Sequence, residues 1–255
     1  IMNTTFSANR AQGGNASSGI AGSGLGGGVC NIDIYGNWYV SAEIVNCTFA
    51  HNTVAAGTGG TPWETADGGA LYNDDYSVVH LLNTILAYSG GVHDAVNTGA
   101  PSNVTGDHNL AERYSGFGNV FIGTTPDPKL GPLQNNGGPT FTHALLAGSA
   151  AIDTGNSSYA PSSDQRGVTR GRVDIGAFEA HPWLSVIPSV ATDEDTPATV
   201  NFALGDPLLL AANPVTLTAV CSDPGLVPTA GLNVTSSGTN GTLVITPAAN
   251  ANGTA

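Results

Sequence analysis

Positive charge is the scarcest property of this sequence. Its 255 residues include only 6 lysines and arginines against 19 aspartates and glutamates, which gives a formal net charge of −13 at pH 7. Binding to nucleic acid or to an anionic membrane surface requires clustered cations that neutralise phosphates. The composition therefore excludes electrostatic binding to nucleic acid or to an anionic membrane surface.

Long apolar runs and strong helix formers are also scarce. No stretch approaches the roughly 18 consecutive apolar residues that a membrane-spanning helix needs, so we expect no membrane insertion. Glycine is abundant at 35 residues and charged residues make up only 10% of the chain, whereas 40% is hydrophobic, enough to form a core. Glycine, asparagine, threonine and serine favour turns and strands over helices. We therefore predict an all-β fold.

Cysteine is too rare to organise the fold. Cys30, Cys47 and Cys221 form an odd set without a Cys-x-x-Cys motif, so neither a disulfide framework nor a thiolate metal site is indicated. Their disulfide state stays open. A surface of short hydroxyl and amide side chains with few ammonium groups favours an extracellular or cell-surface location.

Two motifs recur along the first part of the chain with the same period. The segment Asn3-Thr4-Thr5-Phe6-Ser7-Ala8-Asn9 returns 43 residues later as Asn46-Cys47-Thr48-Phe49-Ala50-His51-Asn52. The segment Gly26-Gly27-Gly28-Val29-Cys30-Asn31 returns 42 residues later as Gly68-Gly69-Ala70-Leu71-Tyr72-Asn73. A shorter copy of the first motif follows as Asn83-Thr84-Ile85-Leu86-Ala87. Strand-sized apolar pieces separated by Gly and Asn predict a parallel β-solenoid.

The period also predicts the roles of the repeated residues. If each 42-residue unit holds two coils of about 21 residues, Phe6 and Phe49 lie in register in the interior. Asn9 and Asn52 then lie at turns in the left-handed region and hydrogen-bond along the stack. The corners are expected at the small residues of the second motif, which are Gly27, Gly28, Gly69 and Ala70. We predict a structural role for all of these residues.

These paired motifs resemble the repeats of polymorphic outer-membrane proteins of bacteria. The Phe-x-x-Asn pattern occurs at residues 6–9 and 49–52, and a sequence similar to Gly-Gly-Ala-Ile occurs at residues 68–71 and, more loosely, at 26–29. The resemblance implies a right-handed parallel β-helix of a bacterial surface protein.

A second, more specific resemblance begins at Asp127. Its landmarks are Asp127-Pro128-Lys129-Leu130-Gly131-Pro132-Leu133, Asn136-Gly137-Gly138-Pro139-Thr140, Ala147-Gly148-Ser149-Ala150-Ala151-Ile152-Asp153-Thr154-Gly155, Asp164-Gln165-Arg166-Gly167 and Asp174-Ile175-Gly176-Ala177-Phe178-Glu179. This text is similar to the segment at the C-terminal end of β-helices in secreted bacterial proteins of the choice-of-anchor type. The resemblance implies a β-helix over residues 1–181, of which residues 127–180 form the closing coils and the cap.

Charged residues cluster in this closing segment. Three of the five arginines of the chain, Arg166, Arg170 and Arg172, lie there among carboxylates. We expect a cap held by ion pairs and backbone hydrogen bonds, and a catalytic cluster is the alternative. The residues assigned to the cap are Asp153, Asp164, Arg166, Arg170, Asp174 and Glu179.

A second domain is predicted over residues 182–255. Alternating strands near residues 198–204, 215–221 and 242–246 are separated by Asp-Pro, Asn-Pro and Asn-Gly turns, which is typical of a small β-sandwich. The segments 193–197 and 245–250 resemble the immunoglobulin-like or cadherin-like modules of bacterial adhesins. About 74 residues are fewer than the roughly 100 of an immunoglobulin-like domain. We therefore expect this sandwich to lack its last strand, which continuation of the chain or a partner's strand would supply.

One weak cation site is suggested at the junction of the two domains. Asp193, Glu194 and Asp195 offer the hard oxygen ligands that Ca²⁺ prefers, but we favour an acidic turn in solvent over this site. No other metal or cofactor is predicted.

Polysaccharide cleavage is the enzymatic alternative that a β-helix permits. A hydrolase needs two carboxylates that flank the bond, and a lyase needs a Ca²⁺-binding acidic set with an Arg or Lys base. The acidic candidates are Glu64, Asp67, Asp74, Asp75, Asp94 and Asp107, and the nearby bases are Arg113 and Lys129. Sequence alone does not bring these groups together, and fold analogy is a weak argument, so we predict that the protein is not an enzyme.

We therefore predict an extracellular structural and adhesive protein. An uncovered first coil is expected to pair with another β-edge, so the open β-helix and β-sandwich ends are expected to join copies head to tail into a fibre. The predicted partners are further copies of the chain or surface glycans. A glycan-binding module is the remaining alternative, with a row of exposed aromatic residues that would include Trp38, Tyr39, Trp63, Tyr72 and Tyr76.

Overall fold

The protein is built from short β-strands. The computed structural model describes residues 1–34, 40–59, 65–122, 127–180, 183–205, 216–237 and 240–254. Its only helical pieces within these ranges are two 3₁₀ turns, η1 (Pro101–Asn103) and η2 (Thr229–Gly231). The predicted all-β class is confirmed. No helix in these ranges is long and apolar enough to cross a membrane.

The chain divides into two compact units, Ile1–Glu179 and Ala180–Ala255. The strands of the first unit are β1 (Thr5–Ser7), β2 (Arg10–Gln12), β3 (Gly24–Leu25), β4 (Val29–Asn31), β5 (Val40–Val45), β6 (Thr48–Ala50), β7 (Thr53–Ala55), β8 (Ala66–Asp67), β9 (Leu71–Asn73), β10 (Ser77–Leu82), β11 (Ile85–Ala87), β12 (Ala95–Asn97), β13 (Val104–Asp107), β14 (Leu110–Ala111), β15 (Tyr114–Ser115), β16 (Leu130–Gln134) and β17 (Thr142–Leu145).

Three parallel sheets grow as the chain makes four successive passes, which we call coils 1 to 4. Their strand orders are β1-β6-β11-β14, β13-β10-β5 and β15-β12-β9-β4, and every neighbouring pair is parallel. Coil 1 reaches the second sheet only through an isolated bridge between Met2 and Val45. Parallel neighbours far apart in sequence explain why the apolar pieces recur with a fixed spacing.

One sequence period corresponds to one coil, so the expectation of two coils per period is wrong. Phe6 pairs directly with Phe49, which in turn pairs with Leu86. Coils 1 and 2 are long because they carry the additional parallel pairs β2-β7 and β3-β8. Coils 3 and 4 lack a counterpart of these strands in the sheets, and the repeat consequently shortens to 25 residues between Leu86 and Ala111.

The core of the first unit lies between the three parallel sheets. In β10 the buried residues alternate with outward ones, so that Val79 and Leu81 point inward and His80 points to solvent. Phe6 stacks on Phe49 with ring centroids 4.6 Å apart and an angle of 4° between the rings. Full burial of such a side chain contributes about 1.5–3 kcal/mol. The core therefore favours coils stacked in exact register.

A ladder of buried asparagines joins three coils at the end of the third sheet. Asn31, Asn73 and Asn97 are in register. The Asn31 amide donates to the Asn73 side-chain oxygen at 2.6 Å, and the Asn73 amide donates to that of Asn97 at 2.8 Å. Because buried amides are costly unless they are paired, each asparagine stabilises the next coil.

The far end of the stack is covered by residues 116–122. Phe117 and Val120 are buried in the core, and Phe121 forms an isolated parallel bridge with Asn109. The Phe121 ring packs against Tyr114 at 4.3 Å and against Phe117 at 5.4 Å between centroids. This short aromatic segment, and not residues 127–180, shields the last coil.

Residues 127–179 lie along the side of the coil stack, and we call them the brace. Their only strands are the antiparallel pair β16-β17, and the three parallel sheets of the first unit receive no strand from them. Their contacts are instead lateral. In coil 1, the Asn3 amide donates to the Ser163 carbonyl of the brace. In coil 2, the Asn46 amide donates to the Asp174 and Gly176 carbonyls of the brace. The predicted closing coils and end cap are thus replaced by a lateral support.

The brace reaches the last two coils as well. The Asn83 amide of coil 3 donates to the Asn156 carbonyl at 2.9 Å, and Asn156 N–H donates back to the Asn83 side chain at 2.8 Å. In coil 4, Asp107 accepts a hydrogen bond from the Asn156 amide at 3.4 Å. One segment thereby holds all four coils.

The second unit contains one antiparallel sheet in its described residues. Its strands are β18 (Trp183–Leu184), β19 (Ala198–Gly205), β20 (Leu232–Ser237) and β21 (Asn240–Ile245). They lie in the order β18-β19-β21-β20. Ala198, Val200, Phe202 and Leu204 alternate on the buried face of β19. Residues 216–221, most of the strand expected over 215–221, are not in a strand, and a second sheet of the predicted sandwich is not seen in the described part of the unit.

Candidate functional site

One set of polar groups lies at a corner of the coil stack, directly after the strands of the first sheet. Ala8, His51 and Tyr88 occupy this corner in coils 1, 2 and 3, and all three have left-handed backbone, with φ of 56°, 57° and 52°. We call them the corner row. Each of them follows a residue of the in-register set Ser7, Ala50 and Ala87. The repeat therefore places unlike side chains one above another.

The brace completes a polar site at this corner. The His51 ring lies 5.4 Å from the Tyr88 ring and 5.6 Å from the ring of His143, which belongs to β17. The Tyr88 hydroxyl donates to Asp127, and the Tyr88 N–H donates to Glu112 at 2.8 Å. These groups are the first part of the corner site, and they come from coils 2, 3 and 4 and from the brace.

Two carboxyl groups of the corner site have pKa values shifted in opposite directions. Burial, reinforced by the negative charges of Asp94 and Asp127, raises the pKa of Glu112 above its usual value. Hydrogen bonds from the Tyr88 hydroxyl and the Lys129 N–H hold the pKa of Asp127 below its usual value. Burial and the bond to Asp127 raise the pKa of Tyr88 to about 12. The site thus offers one carboxyl that holds its proton more firmly and one that stays ionised.

Ser7 and His143 form the second part of the corner site. The Ser7 hydroxyl oxygen is 2.9 Å from His143 Nε2, and His143 Nδ1 is 2.7 Å from the Gly131 carbonyl oxygen. Burial lowers the pKa of His143, and the proximity of His51 lowers it further, against the opposing effect of the Gly131 carbonyl. The imidazole is therefore neutral at pH 7.

The repeated asparagines act differently from the prediction in one respect. Asn9 and Asn52 are not the left-handed residues, because Ala8 and His51 take that conformation. The bonding along the stack is present: the Asn52 side-chain oxygen accepts from the Asn9 N–H at 3.0 Å and from the Asn9 amide at 2.9 Å. The side chain can bond to the neighbouring coil while the preceding residue makes the turn.

The glycine motif separates in the same way into turn and packing positions. The left-handed residues are Gly26 and Gly68, with φ of 60° and 67°. Gly28 is a packing position, because a Cβ there would lie 2.6 Å from the Ala70 carbonyl oxygen and 2.7 Å from Cδ1 of Phe49. Gly27 and Gly69 are similarly enclosed by backbone carbonyls. Ala70 is fully buried.

The charged residues assigned to the cap meet inside the brace. Arg170 lies 2.8 Å from Glu179, and both side chains are 2% exposed. The guanidinium also donates to the Gly176 carbonyl and to the Asn3 side chain of coil 1. Glu179 in turn accepts from the Asp174 N–H at 3.0 Å. These contacts stiffen the brace and tie it to coil 1.

A second ion pair lies beside the first one. Arg166 binds Asp164 at 2.7 Å, donates to the Glu179 carbonyl and covers the Phe178 ring at 3.6 Å from its centroid. The ion pair of Asp153 is not comparable, because its contact with Arg172 is 3.8 Å long and the Arg172 side chain is 79% exposed. The Asp153 N–H instead donates to Asp174 at 2.7 Å.

The carboxylates considered for polysaccharide cleavage do not all converge. Asp94 is fully buried and pairs with Arg113, so two of the candidates meet. Burial raises the pKa of Asp94, because its effect outweighs the lowering effect of Ser89 and Arg113. Asp67 holds His93 at 2.8 Å. Burial alone would raise its pKa, but the hydrogen bonds from His93 and the Gly68 N–H lower it. The two acids therefore bind different partners, although His93 and Asp94 are neighbours in the chain.

The remaining acidic candidates are spread over the molecule. Asp74 accepts from the Ser77 hydroxyl at 2.8 Å in the turn before β10, and Asp75 is exposed beside it. Asp107 faces the brace, Lys129 is exposed near Asp127, and Glu64 lies outside the described residues.

The other predicted sites are not assembled. Trp38, Tyr39 and Trp63 lie outside the described residues, and Tyr76 is 57% exposed while Tyr72 is half-buried on β9. Asp193, Glu194 and Asp195 are exposed, and Asp195 accepts the Asn250 N–H at 2.8 Å. In the described ranges no group of three or more His, Cys, Asp or Glu side chains is arranged to hold a metal ion.

The three cysteine thiols are free, and they differ in their burial. Cys30 is exposed, Cys221 is half-buried, and Cys47 is buried in the core. Burial raises the pKa of Cys47 to about 11. Partial enclosure of the Cys30 side chain by its neighbours, together with the charge of Asp74, raises the pKa of Cys30.

Part of the corner site could be predicted from the sequence. Aligned on their common period, the repeats place His51 and Tyr88 at the same position. His143 had no such signal, because its contact with Ser7 joins residues 136 positions apart and crosses from the brace to coil 1. Comparison with protein-family models, curated proteins and solved structures finds no match to this chain.

Proposed function

We propose that the chain is an extracellular structural and adhesive element whose first unit is a right-handed parallel β-helix and whose second unit is an immunoglobulin-like module. The observation that carries the proposal is the brace, which is bonded to coils 1, 2, 3 and 4. A segment that links every coil prevents the stack from opening one coil at a time. Such reinforcement suits a part that transmits force.

The adhesive part of the proposal rests on exposed strand edges. Strands β1 and β4 of coil 1 each have one neighbour, β6 and β9 respectively. Met2 is 54% exposed and Cys30 is also exposed on this side. Unpaired N–H and C=O groups of an edge strand bind another strand readily. We propose that this edge pairs with an edge strand of the antiparallel sheet of a further copy, β18 or β20, each of which has one neighbour in the described sheet, and so supports head-to-tail assembly.

Electron microscopy and sedimentation velocity of the purified chain test the assembly. We expect regular fibres, and we expect Cys30→Lys to suppress them because a charged side chain on an edge strand opposes pairing. Val220→Lys is the matched control, since Val220 is 92% exposed in the second unit. Monodisperse monomers at all concentrations, or equal assembly of both variants, would contradict the proposal.

A glycan-active protein is the second candidate function. Glu112 and Asp127 lie on either side of Tyr88 and have pKa values shifted in opposite directions. A pair of carboxyls tuned apart is the arrangement from which glycosidases take their acid and base. A polysaccharide panel assayed for new reducing ends tests it. Activity lost in Glu112→Gln and kept in Asp75→Asn would favour this function over the structural one.

A further inference from the structure

The contact between Ser7 and His143 has the atomic arrangement of a nucleophile with its base. The Ser7 hydroxyl oxygen lies 2.9 Å from His143 Nε2, within the range for proton transfer between a serine and a histidine. On the other side of the ring, Nδ1 lies 2.7 Å from the Gly131 carbonyl oxygen. A serine, an imidazole and an acceptor that orients the imidazole are the three parts of an activated nucleophile.

The Gly131 carbonyl fixes which ring nitrogen carries the proton. A carbonyl oxygen only accepts hydrogen bonds, so Nδ1 must be the protonated nitrogen of the neutral ring. The lone pair of Nε2 then points at Ser7 and accepts its hydroxyl proton. The carbonyl does here what a carboxylate does in a serine hydrolase, namely orient the ring, although it adds no negative charge.

The surroundings keep the base neutral and leave the serine within reach of solvent. The His143 side chain is almost completely enclosed, at 1% exposure, whereas Ser7 is half-buried on the edge strand β1. His51, an exposed residue of the corner row, has its ring 5.6 Å from that of His143.

We propose that Ser7 is a nucleophile for carboxylic esters and that His143 is its general base. His143 Nε2 takes the proton as Ser7 Oγ forms a bond to the ester carbonyl carbon. The carbon then loses its alcohol group, which leaves with the proton returned by His143. Water repeats the sequence on the acyl-serine and releases the acid, so protons and electron pairs balance without a cofactor. This activity goes beyond the structural function proposed above.

The test is covalent labelling of the full chain with a fluorophosphonate, which phosphonylates activated serines with loss of fluoride. Peptide mass spectrometry should place the label on Ser7, and Ser7→Ala should lose it. His143→Gln should slow the labelling at least 100-fold, the lower range for loss of a general base. His80→Gln, which changes an exposed histidine outside the site, should label like the natural sequence.

The pH dependence of labelling in the natural sequence tests the same pair without relying on the folding of His143→Gln. The labelling rate of the natural sequence should already be maximal at pH 7 and should fall as the pH is lowered through the depressed pKa of His143. Hydrolysis of a short-chain p-nitrophenyl ester should show the same pH dependence and should be absent in Ser7→Ala. No label on Ser7, a label independent of pH, or equal labelling of Ser7 in folded His143→Gln would each overturn the proposal and leave a structural hydrogen bond.

Discussion

Asparagine has two separate roles in the coil stack. Asn3, Asn46 and Asn83 take the left-handed conformation, with φ between 47° and 49°, because their short polar side chain tolerates it better than most side chains. Asn31 and Asn73 belong to the buried ladder instead. The sequence repeats predicted asparagines at turns and in ladders, but motif spacing alone did not separate the two roles, because both occur next to strand ends.

The central asparagine of the ladder should be the most sensitive. Asn73→Ala removes an acceptor from the Asn31 amide, which keeps its bond to the Val78 carbonyl, and removes a donor from the buried side-chain oxygen of Asn97. We expect the free energy of unfolding to fall by roughly 2–4 kcal/mol, measured by chemical denaturation. Asn103→Ala, which removes one exposed hydrogen bond to Asp75, should change it by less than about 1 kcal/mol.

The buried His143 should make stability depend on pH. Its pKa is lowered in the folded protein, so the unfolded chain binds more protons once the pH falls below about 6.5, the ordinary histidine pKa. Stability is therefore fully present above that pH and is lost as the pH falls towards the folded pKa. The approach of His51 adds to the penalty of protonation, while Ser7 and the Gly131 carbonyl face the ring as neutral groups.

Thermal unfolding of the natural sequence and of His143→Gln between pH 7.5 and 5.5 checks this. We expect the melting temperature of the natural sequence to fall more over this range than that of the variant. The exposed-site variant His80→Gln should follow the natural sequence. Parallel pH profiles for all three proteins would show that His143 is not the group responsible.

At the scale of elements, the brace is the feature that sequence reasoning described least well. We expected the charged side chains of the segment 127–180 to hold it together by ion pairs, and Arg170 and Glu179 do pair within it. Its position was wrong, because the contacts that place it beside the coils involve single polar groups such as Asn3 and Thr5. The asparagines Asn3, Asn46 and Asn83 that bind the brace do recur with the repeat, but their partner carbonyls in the brace follow no period, so the sequence did not show what they bind.

The buried ion pair of the brace gives a sharp test of its role. Arg170→Met leaves Glu179 charged and enclosed, so we expect the free energy of unfolding to fall by about 3–5 kcal/mol. The double variant Arg170→Met, Glu179→Gln should recover part of that loss. Arg172→Met is the control, since its pair with Asp153 is exposed and 3.8 Å long, and should cost less than about 1 kcal/mol. Denaturant titrations of the four proteins decide the question, and equal losses in the two single variants would contradict it.

At the scale of the whole molecule, the period of the sequence predicted stacked strands well and the coil length poorly. Phe6 and Phe49 are a correct pair because inward aromatic residues must meet in register. The number of coils per period was wrong because the additional strands β2 and β7 have only three residues each, too few to show an alternating apolar pattern. The two-residue strands after them are equally hard to recognise from sequence.

The large negative charge should regulate association of whole molecules. Copies that each carry a net charge of −13 repel one another, and the repulsion reaches about 30 Å at 0.01 M salt but only about 8 Å at 0.15 M. We expect the assembly through the coil 1 edge to strengthen as salt is added. Sedimentation velocity at the two salt concentrations checks this, with Val220→Lys as a variant that reduces the charge without altering that edge. Weaker association at the higher concentration would show that attraction between charges, and not strand pairing, joins the copies.

Because the brace follows the coils in the sequence, the contacts between the brace and the first coils form late during synthesis of the chain. The Thr5 hydroxyl of coil 1 can donate to the Gln165 side-chain oxygen only after 160 further residues have been made. At about 5–20 residues per second, this interval is on the order of ten to thirty seconds. During that time the first coils leave the ribosome with their corner uncovered, so a newly made chain passes through a stage at which chaperones and proteases can reach a surface that the finished protein conceals.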